Sequence, residues 1–433
     1  MGNQRILITG AGAVTPFGLG IDSLYQGMLA GETKVAPLED AREALAPGYG
    51  AVVVERNKAI RSLPNSRDMR PGTMTRYTFL STLALGTAIQ DAGTTWEADE
   101  RSLRRGFYVA SYTNSDKFDK YVRFAHAVSR RTDAGGVEID DAQVGKAIRK
   151  FTSFEFLKLM NNMPTAHGGI QGKCQGPCNT FLGTASAGLQ AIGRAYEAIQ
   201  DGLADLMYAG GTGSSVHAQM MMVRATRKLA SDKTADPASA GRPFDRDATG
   251  IVPGEGAGVL VLETEASAVE RGAKPLAELA GWADWFAAPG ADRAIPPTTD
   301  GPVRAMRKAL RRAGLGADDV DFVVALGEGS TDIDGLEAAA LSELLGSRAS
   351  EVPIVTTTAH IGCTEAAVGP IGAALAIRIL AEGEVPGSLN LSNPIAGFAG
   401  PVHGAPKRVD ARVGLVSTTT REGVNAALVL KAV

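Results

Sequence analysis

The 433-residue chain is short of cysteine, contains no long apolar run and carries no excess of either charge. Its three cysteines, Cys174, Cys178 and Cys363, are an odd and sparse set that cannot staple a secreted disulfide scaffold. The N-terminus also lacks the positive, apolar, small-residue order of a secretory signal, so a reduced, cytoplasmic protein is expected. Cys174 and Cys178 stand four apart, yet no second Cys/His pair follows at zinc-ligand spacing, and no metal site is expected. Met1-Gly2 is followed at position 6 by Ile6, where a myristoylation signal needs Ser or Thr. No apolar run reaches the roughly 18 residues of a membrane span. The 44 Lys and Arg against 47 Asp and Glu leave a formal charge of −3, without the basic excess of a nucleic-acid binder. Neither a membrane nor a nucleic acid is an expected partner.

A hydrophobic fraction of 44% is enough for a large buried core, so the chain reads as a compact globular protein. Its first strand signal, Ile6-Leu7-Ile8-Thr9, runs into Gly10-Ala11-Gly12-Ala13-Val14-Thr15-Pro16 and superficially suits a dinucleotide turn. Thr15 stands where the third glycine should be, however, and Pro16 forbids the helix whose N-terminus would hold a pyrophosphate.

Self-similarity between the two parts of the chain says more. The strand near Ile6 has a counterpart at Leu276-Ala277-Glu278-Leu279-Ala280-Gly281, and the helix end Ala88 to Gly93 matches Ala309 to Gly314, each closed by glycine. Buried-strand runs follow at Gly106 to Ala110 and at Val320 to Ala325. Small-residue turns then lead into apolar helices, Ala187 to Gln200 and Ala366 to Leu380, and the parts close on Gly258 to Leu262 and Ala427 to Leu430. The repeated order predicts two duplicated α/β halves, 1–264 and 265–433, each with helices on a mainly parallel sheet. Segments 111–160 and 212–257 are too long for plain connections and are expected to act as lids or interface elements.

Several motifs then stand in order: Ile8-Thr9-Gly10-Ala11-Gly12-Ala13-Val14-Thr15-Pro16, Asn162-Met163, Gly176-Pro177, Arg242-Pro243-Phe244-Asp245 and Gly254-Glu255-Gly256-Ala257-Gly258. Together they resemble the ketosynthase branch of the thiolase-fold enzymes over essentially the whole chain. The resemblance implies a thiolase-like five-layer αβαβα fold and decarboxylative Claisen condensation. That chemistry needs a cysteine thiolate at a helix N-terminus, where the dipole and unpaired amides lower its pKa, and polar groups that stabilise an enolate. Matching through Gly188-Leu189-Gln190-Ala191-Ile192-Gly193 places Ala185 on the cysteine. The first histidine falls on Leu326, and the lysine and second histidine fall on Ala359 and Thr364. The glycine- and phenylalanine-rich loop is replaced by Thr418 to Gly423.

A chain that keeps this fold and vacates these positions resembles the chain-length factors of type II polyketide synthases. Gly327-Glu328-Gly329-Ser330-Thr331-Asp332-Ile333-Asp334-Gly335-Leu336-Glu337 resembles theirs, although most carry glutamine where Ala185 stands. The resemblance implies a non-catalytic subunit, inactive by itself, that pairs with an active ketosynthase as a heterodimer or larger assembly and shapes the polyketide tunnel. Malonyl units would arrive on the phosphopantetheine of an acyl carrier protein, with no cofactor bound to this chain. Phe118, Tyr121 and Phe124, spaced by three on one helical face among polar residues, are the candidate tunnel residues. The alternative is a beta-ketoacyl synthase or other acyltransferase in which Cys363 and His360 form an unorthodox nucleophile–base pair. Asp332 and Glu337 bracket a turn-to-helix start and read as helix-capping acids. His126, His167, His217 and His403 have no partner at motif spacing and read as structural.

Overall fold

A computed structural model describes residues 4–38, 48–54, 59, 62–63, 69–93, 98–113, 118–150, 157–158, 160–232, 234–289, 298–398 and 404–433. The first half supplies strands β1 (Ile6–Thr15), β2 (Arg105–Ser111), β3 (Cys178–Leu182), β4 (Leu206–Ser214) and β5 (Glu255–Thr264). The second supplies β6 (Ala277–Phe286), β7 (Phe322–Val324), β8 (Ile354–Val355), β9 (Val413–Thr419) and β10 (Val424–Lys431). In space the first set runs β1-β5-β4-β2-β3 and the second runs β6-β10-β9-β7-β8. Replacing each strand by its counterpart converts one order into the other, so the duplication read in the sequence is present in the topology. The two half-sheets join edge to edge where Leu7 and Ile8 of β1 meet Glu278 and Ala277 of β6.

The sheet is mixed rather than mainly parallel. β2 pairs in parallel with β3 and β4, and β7 with β8 and β9, but β1–β5, β5–β4, β6–β10 and β9–β10 are antiparallel. The short β9–β10 connection, residues 420–423, is a hairpin, which forces that antiparallel step. The first strand also runs past Thr9 to Thr15, with a register shift between Ile8 and Gly10. Gly10 and Gly12 extend the strand instead of turning it, because helix α1 (Arg76–Ala92) lies so close that a Cβ at Gly10 would sit 2.6 Å from the Ala88 carbonyl.

Further helices in chain order are α2 (Phe118–Val128), α3 (Asp141–Lys150), α4 (Met163–Gln171), α5 (Ala187–Gln200), α6 (Ala218–Thr226), α7 (Asp300–Arg312), α8 (Thr331–Leu345) and α9 (Val368–Glu382). Helices α5 and α9 touch strands of both half-sheets and form the middle layer. They are accordingly apolar on nearly every face, with Leu189, Ile192, Ile199, Ile371, Leu375 and Ile379 fully buried. Each such side chain contributes about 1.5–3 kcal/mol by leaving water. Helix α1 covers the first half-sheet, and α7 and α8 cover the second, which completes the αβαβα order. Among the described residues no helix is long and apolar enough to cross a membrane.

The middle layer meets the first half-sheet through glycine. Gly188 of α5 and Gly211 of β4 both face the Ala366 carbonyl, and Gly213 faces the Thr364 carbonyl, so any Cβ at these positions would overlap backbone. Gly211→Ala is therefore expected to cost about 3 kcal/mol, as an overpacked site does. Gly335→Ala, in α8 with open space around its Cβ position, should gain about 0.5–1 kcal/mol from helix propensity. Denaturant midpoints of the two variants check this pair, and an unchanged Gly211→Ala midpoint would contradict the packing account.

Candidate functional site

The turn between β3 and α5 carries Ala185 at the start of the central helix, the position that the resemblance gives to a nucleophile. Its methyl packs with Leu326, which follows β7, and with Val368, the first residue of α9. Two of the positions expected to be vacated thus meet in space as an apolar contact. The neighbouring Ser186 does not replace the missing thiol, because its hydroxyl donates to the Val424 carbonyl at 2.9 Å and accepts from Thr418 Oγ1 at 2.9 Å.

Beside this contact lies a cavity of about 80 Å³ lined by Ala185, Arg224, Glu328, Cys363, Glu365 and Arg421, among others. Neither Ala359 nor Thr364 is among its lining residues. Gly362, at φ 67°, turns the chain after the helical turn Thr358–Ile361, and Cys363 is the residue delivered to the cavity. Thr358 rather than Ala359 reaches the loop after β7, donating its hydroxyl to the Gly327 carbonyl. Thr364 is fully buried elsewhere, against Gly256 of β5.

The cavity is polar in a way that the motifs did not reveal. Arg224 of α6 and Glu365 form a buried ion pair, and Arg224 Nη1 also donates to Ser215 Oγ at 3.1 Å. On the other side Arg421, from the β9–β10 hairpin, pairs with Asp332 at 2.5 Å and with Glu328 at 3.4 Å. Burial raises the Glu328 carboxyl above its ordinary range, opposed by Ser330 and the two arginines. Burial likewise pushes the Cys363 thiol up to about 12, so at neutral pH it is a protonated, weak nucleophile. The His360 Nδ1 donates to the Glu32 carbonyl at 2.5 Å, and burial lowers its pKa. The signal for this network in the sequence was weak, a lone Glu365 within a run of small residues and a lone Arg224 within a methionine-rich helix.

Asp332 lies in the first turn of α8, as expected, whereas the carboxylates of Asp334 and Glu337 tether other backbone segments. Glu337 accepts from the Leu326 and Gly327 amides at 3.1 and 2.8 Å, and Asp334 accepts from the Phe244 amide at 2.9 Å. Ser330, the N-cap residue of α8, makes no side-chain cap bond. These carboxylates fix the backbone that carries Leu326 to the Ala185 contact and Glu328 to the cavity. His217 Nε2 donates to the Tyr77 hydroxyl at 3.1 Å, whose own proton goes to the Ser214 carbonyl, His167 is buried in α4, and His126 lies exposed on α2, while His403 falls outside the described residues. Among the described residues no group of three His, Cys, Asp or Glu is placed to hold a metal ion.

The aromatic stripe lies on α2, which packs against α3 and is followed by a small hairpin, Ser129–Arg131 with Val137–Ile139. Tyr121 and Phe124 are half-buried, and the side chain of Phe118 lies outside the described residues. Segment 212–257 contributes α6, and through it Arg224, to the cavity wall.

Because Arg224 is buried, removing its counter-ion should be costly: Glu365→Gln is expected to lose about 3–5 kcal/mol in denaturant unfolding. The double variant Arg224→Met with Glu365→Leu should recover most of that loss. Equal losses in single and double variants would show that the pair is not the source.

The N-terminal domain of beta-ketoacyl synthases matches residues 3–268 and their C-terminal domain matches residues 276–392. The chain is 30% identical over 440 residues to 3-oxoacyl-[acyl-carrier-protein] synthase 2 of Rhizobium meliloti (strain 1021), covering 99% of each protein. It is 31% identical over 432 residues to actinorhodin polyketide putative beta-ketoacyl synthase 2 of Streptomyces coelicolor (strain ATCC BAA-471 / A3(2) / M145), covering 99% of this chain and 98% of that one. In fold it is similar to the ishigamide ketosynthase/chain length factor, with a TM-score of 0.84 at 23% identity across the whole of both chains. With both family domains in order and relatives aligned end to end, the chain belongs to the beta-ketoacyl synthase family.

Proposed function

We propose that this chain is a chain-length-factor subunit: it pairs with an active ketosynthase and bounds the tunnel in which a polyketide grows, without performing the condensation itself. The observation that carries the reading is the Ala185–Leu326–Val368 contact, where a condensing enzyme needs a thiolate facing a polar group. The neighbouring cavity supports it, because Arg224 and Arg421 in its lining are already paired with carboxylates and the Cys363 thiol is protonated at neutral pH. Malonyl units are delivered to the partner's nucleophile on the phosphopantetheine of an acyl carrier protein.

The face that would meet the ketosynthase is the outer side of β3. Among the described residues this strand ends the sheet, and such an edge is open to pairing with another chain. Leu182 on β3 is 58% exposed and Ile170 on the adjacent α4 is 54% exposed, an apolar surface that a partner would cover. Phe118, Tyr121 and Phe124 are assigned to the tunnel end. A second reading, a condensing enzyme with an unorthodox nucleophile, is favoured by the Rhizobium relative's name and differs in one respect: it requires activity from this chain alone.

Co-expression with a ketosynthase that holds an intact cysteine and two histidines is expected to give an equimolar complex that makes a polyketide, while either chain alone makes none. Leu182→Asp should abolish co-elution in size-exclusion chromatography, and Phe124→Ala should lengthen the product by one or more two-carbon units. Product formation by this chain alone would overturn the reading. An unchanged product from a soluble, active Phe124→Ala complex would remove α2 from the tunnel.

A further inference from the structure

At the end of the sheet away from Ala185, three large apolar side chains stand in water on neighbouring segments. Leu103 precedes β2 and is 65% exposed, Leu203 precedes β4 and is 57% exposed, and Val269, in the short helix Glu265–Glu270 that follows β5, is 73% exposed. β2 and β4 begin here and β5 ends here, whereas Ala185 follows the far end of β3, so the group lies opposite the site. Backbone bonds and ion pairs gather the three segments. Arg104 Nη2 donates to the Gly202 carbonyl at 3.1 Å and the Asp205 amide donates to the Arg104 carbonyl at 2.9 Å, which brings the segments of Leu103 and Leu203 together. Arg101 pairs with Glu270 at 2.7 Å, which draws the helix of Val269 to the same place.

Between these segments opens a cavity of about 360 Å³, lined by Arg101, Arg104, Arg105, Asp205, Glu270 and Arg271 among others. Its charges cancel in place. Arg101 is held by Glu270, Arg104 by Asp205 at 2.5 Å, Arg105 by Asp99 at 3.4 Å and Arg271 by Glu263. With each of these cations already answered by a carboxylate, the cavity has no net charge to offer a free phosphate, and no surplus of one sign to draw an acidic or a basic protein. What fits is a surface with apolar side chains at its centre and both signs of charge around them, the usual anatomy of a protein contact. The patch is itself such a surface.

We propose that this patch joins the chain to a second copy of itself across a two-fold axis, so that with the ketosynthase bound two heterodimers form one particle. Under a two-fold operation the patch meets its own image, apolar group against apolar group, and the arginines of the turn Glu100–Arg104 in one copy face carboxylates of the other. Exposed ion pairs such as Arg101–Glu270 contribute little to folding, so exchanging partners across the contact costs little. A patch of one sign would repel its image, whereas a neutral patch of mixed sign is complementary to it. The contact uses this chain alone, involves neither Leu182 nor Ile170, and leaves the cavity beside Ala185 free in both copies.

Light scattering of the purified complex with a ketosynthase, across a concentration series, tests the proposal. The expected particle holds two copies of each chain, and Val269→Glu or Leu103→Glu should lower its mass about twofold with the ketosynthase still bound. Both side chains are exposed, so the variants should keep the thermal midpoint of the parent. Val269→Lys should act as Val269→Glu does, which separates the loss of an apolar contact from the sign of the added charge. Leu182→Asp, which releases the ketosynthase, should leave a particle of two copies of this chain, and Leu182→Asp with Val269→Glu should leave one, so the patch is tested even where no ketosynthase joins. A single heterodimer at every concentration, or a four-chain particle whose mass Val269→Glu and Leu103→Glu leave unchanged, would overturn the proposal.

Discussion

Most of the site's geometry depends on one close approach, the backbone of residues 364–366 lying directly on the glycine face of β4. Gly211 and Gly213 present no side chains there, and Gly188 clears the same carbonyl from the helix side, so second-half backbone reaches first-half sheet without an intervening layer of atoms. From that contact the positions of the site follow. Cys363 and Glu365 are carried to the cavity on one side, and Val368 meets Ala185 on the other. The duplicated topology makes the approach possible, because α5 and α9 occupy equivalent places in the two halves and share the middle layer.

What fills the site differs in kind from what a condensing reaction uses. An enolate needs neutral or cationic donors free to turn toward it as charge develops. Here Arg224 and Arg421 are engaged by Glu365, Glu328 and Asp332, and a carboxylate at Glu328 would oppose a developing anion. Buried ion pairs of this sort contribute little net stability compared with apolar replacements, but breaking one is expensive. Such a network holds the loop after β7 and the β9–β10 hairpin in a fixed relation, which suits a wall better than a catalyst.

The fold was readable because its signals are periodic and local. Apolar runs marked β2, β5, β7 and β10, glycine closed α1, and the repetition of the series exposed the duplication before any contact was known. Strand direction was not readable, since nothing in the β5 or β10 sequence records which neighbour it pairs with, and the sheet proved mixed. Within the site, Ala185 and Leu326 were located by matching the residues around them, and the two side chains do meet. The charged network escaped because its members come from four separate segments: Arg224 on α6, Glu328 after β7, Glu365 before α9 and Arg421 in a hairpin. No spacing rule joins residues that only tertiary packing brings together. The acid at 337 was misread for a related reason: a carboxylate near a helix start suits capping in sequence, whereas here the amides of Leu326 and Gly327 lay within its reach in the preceding loop.

The central claim is that condensation runs on the partner's nucleophile and never on this chain. Intact-protein mass spectrometry of the purified complex, after incubation with acyl- and malonyl-loaded carrier protein, tests it most directly. The account predicts acyl adducts on the ketosynthase alone, with this subunit at its unmodified mass throughout turnover. An acyl adduct on this chain, formed at the rate of product formation and lost on Cys363→Ser, would contradict it.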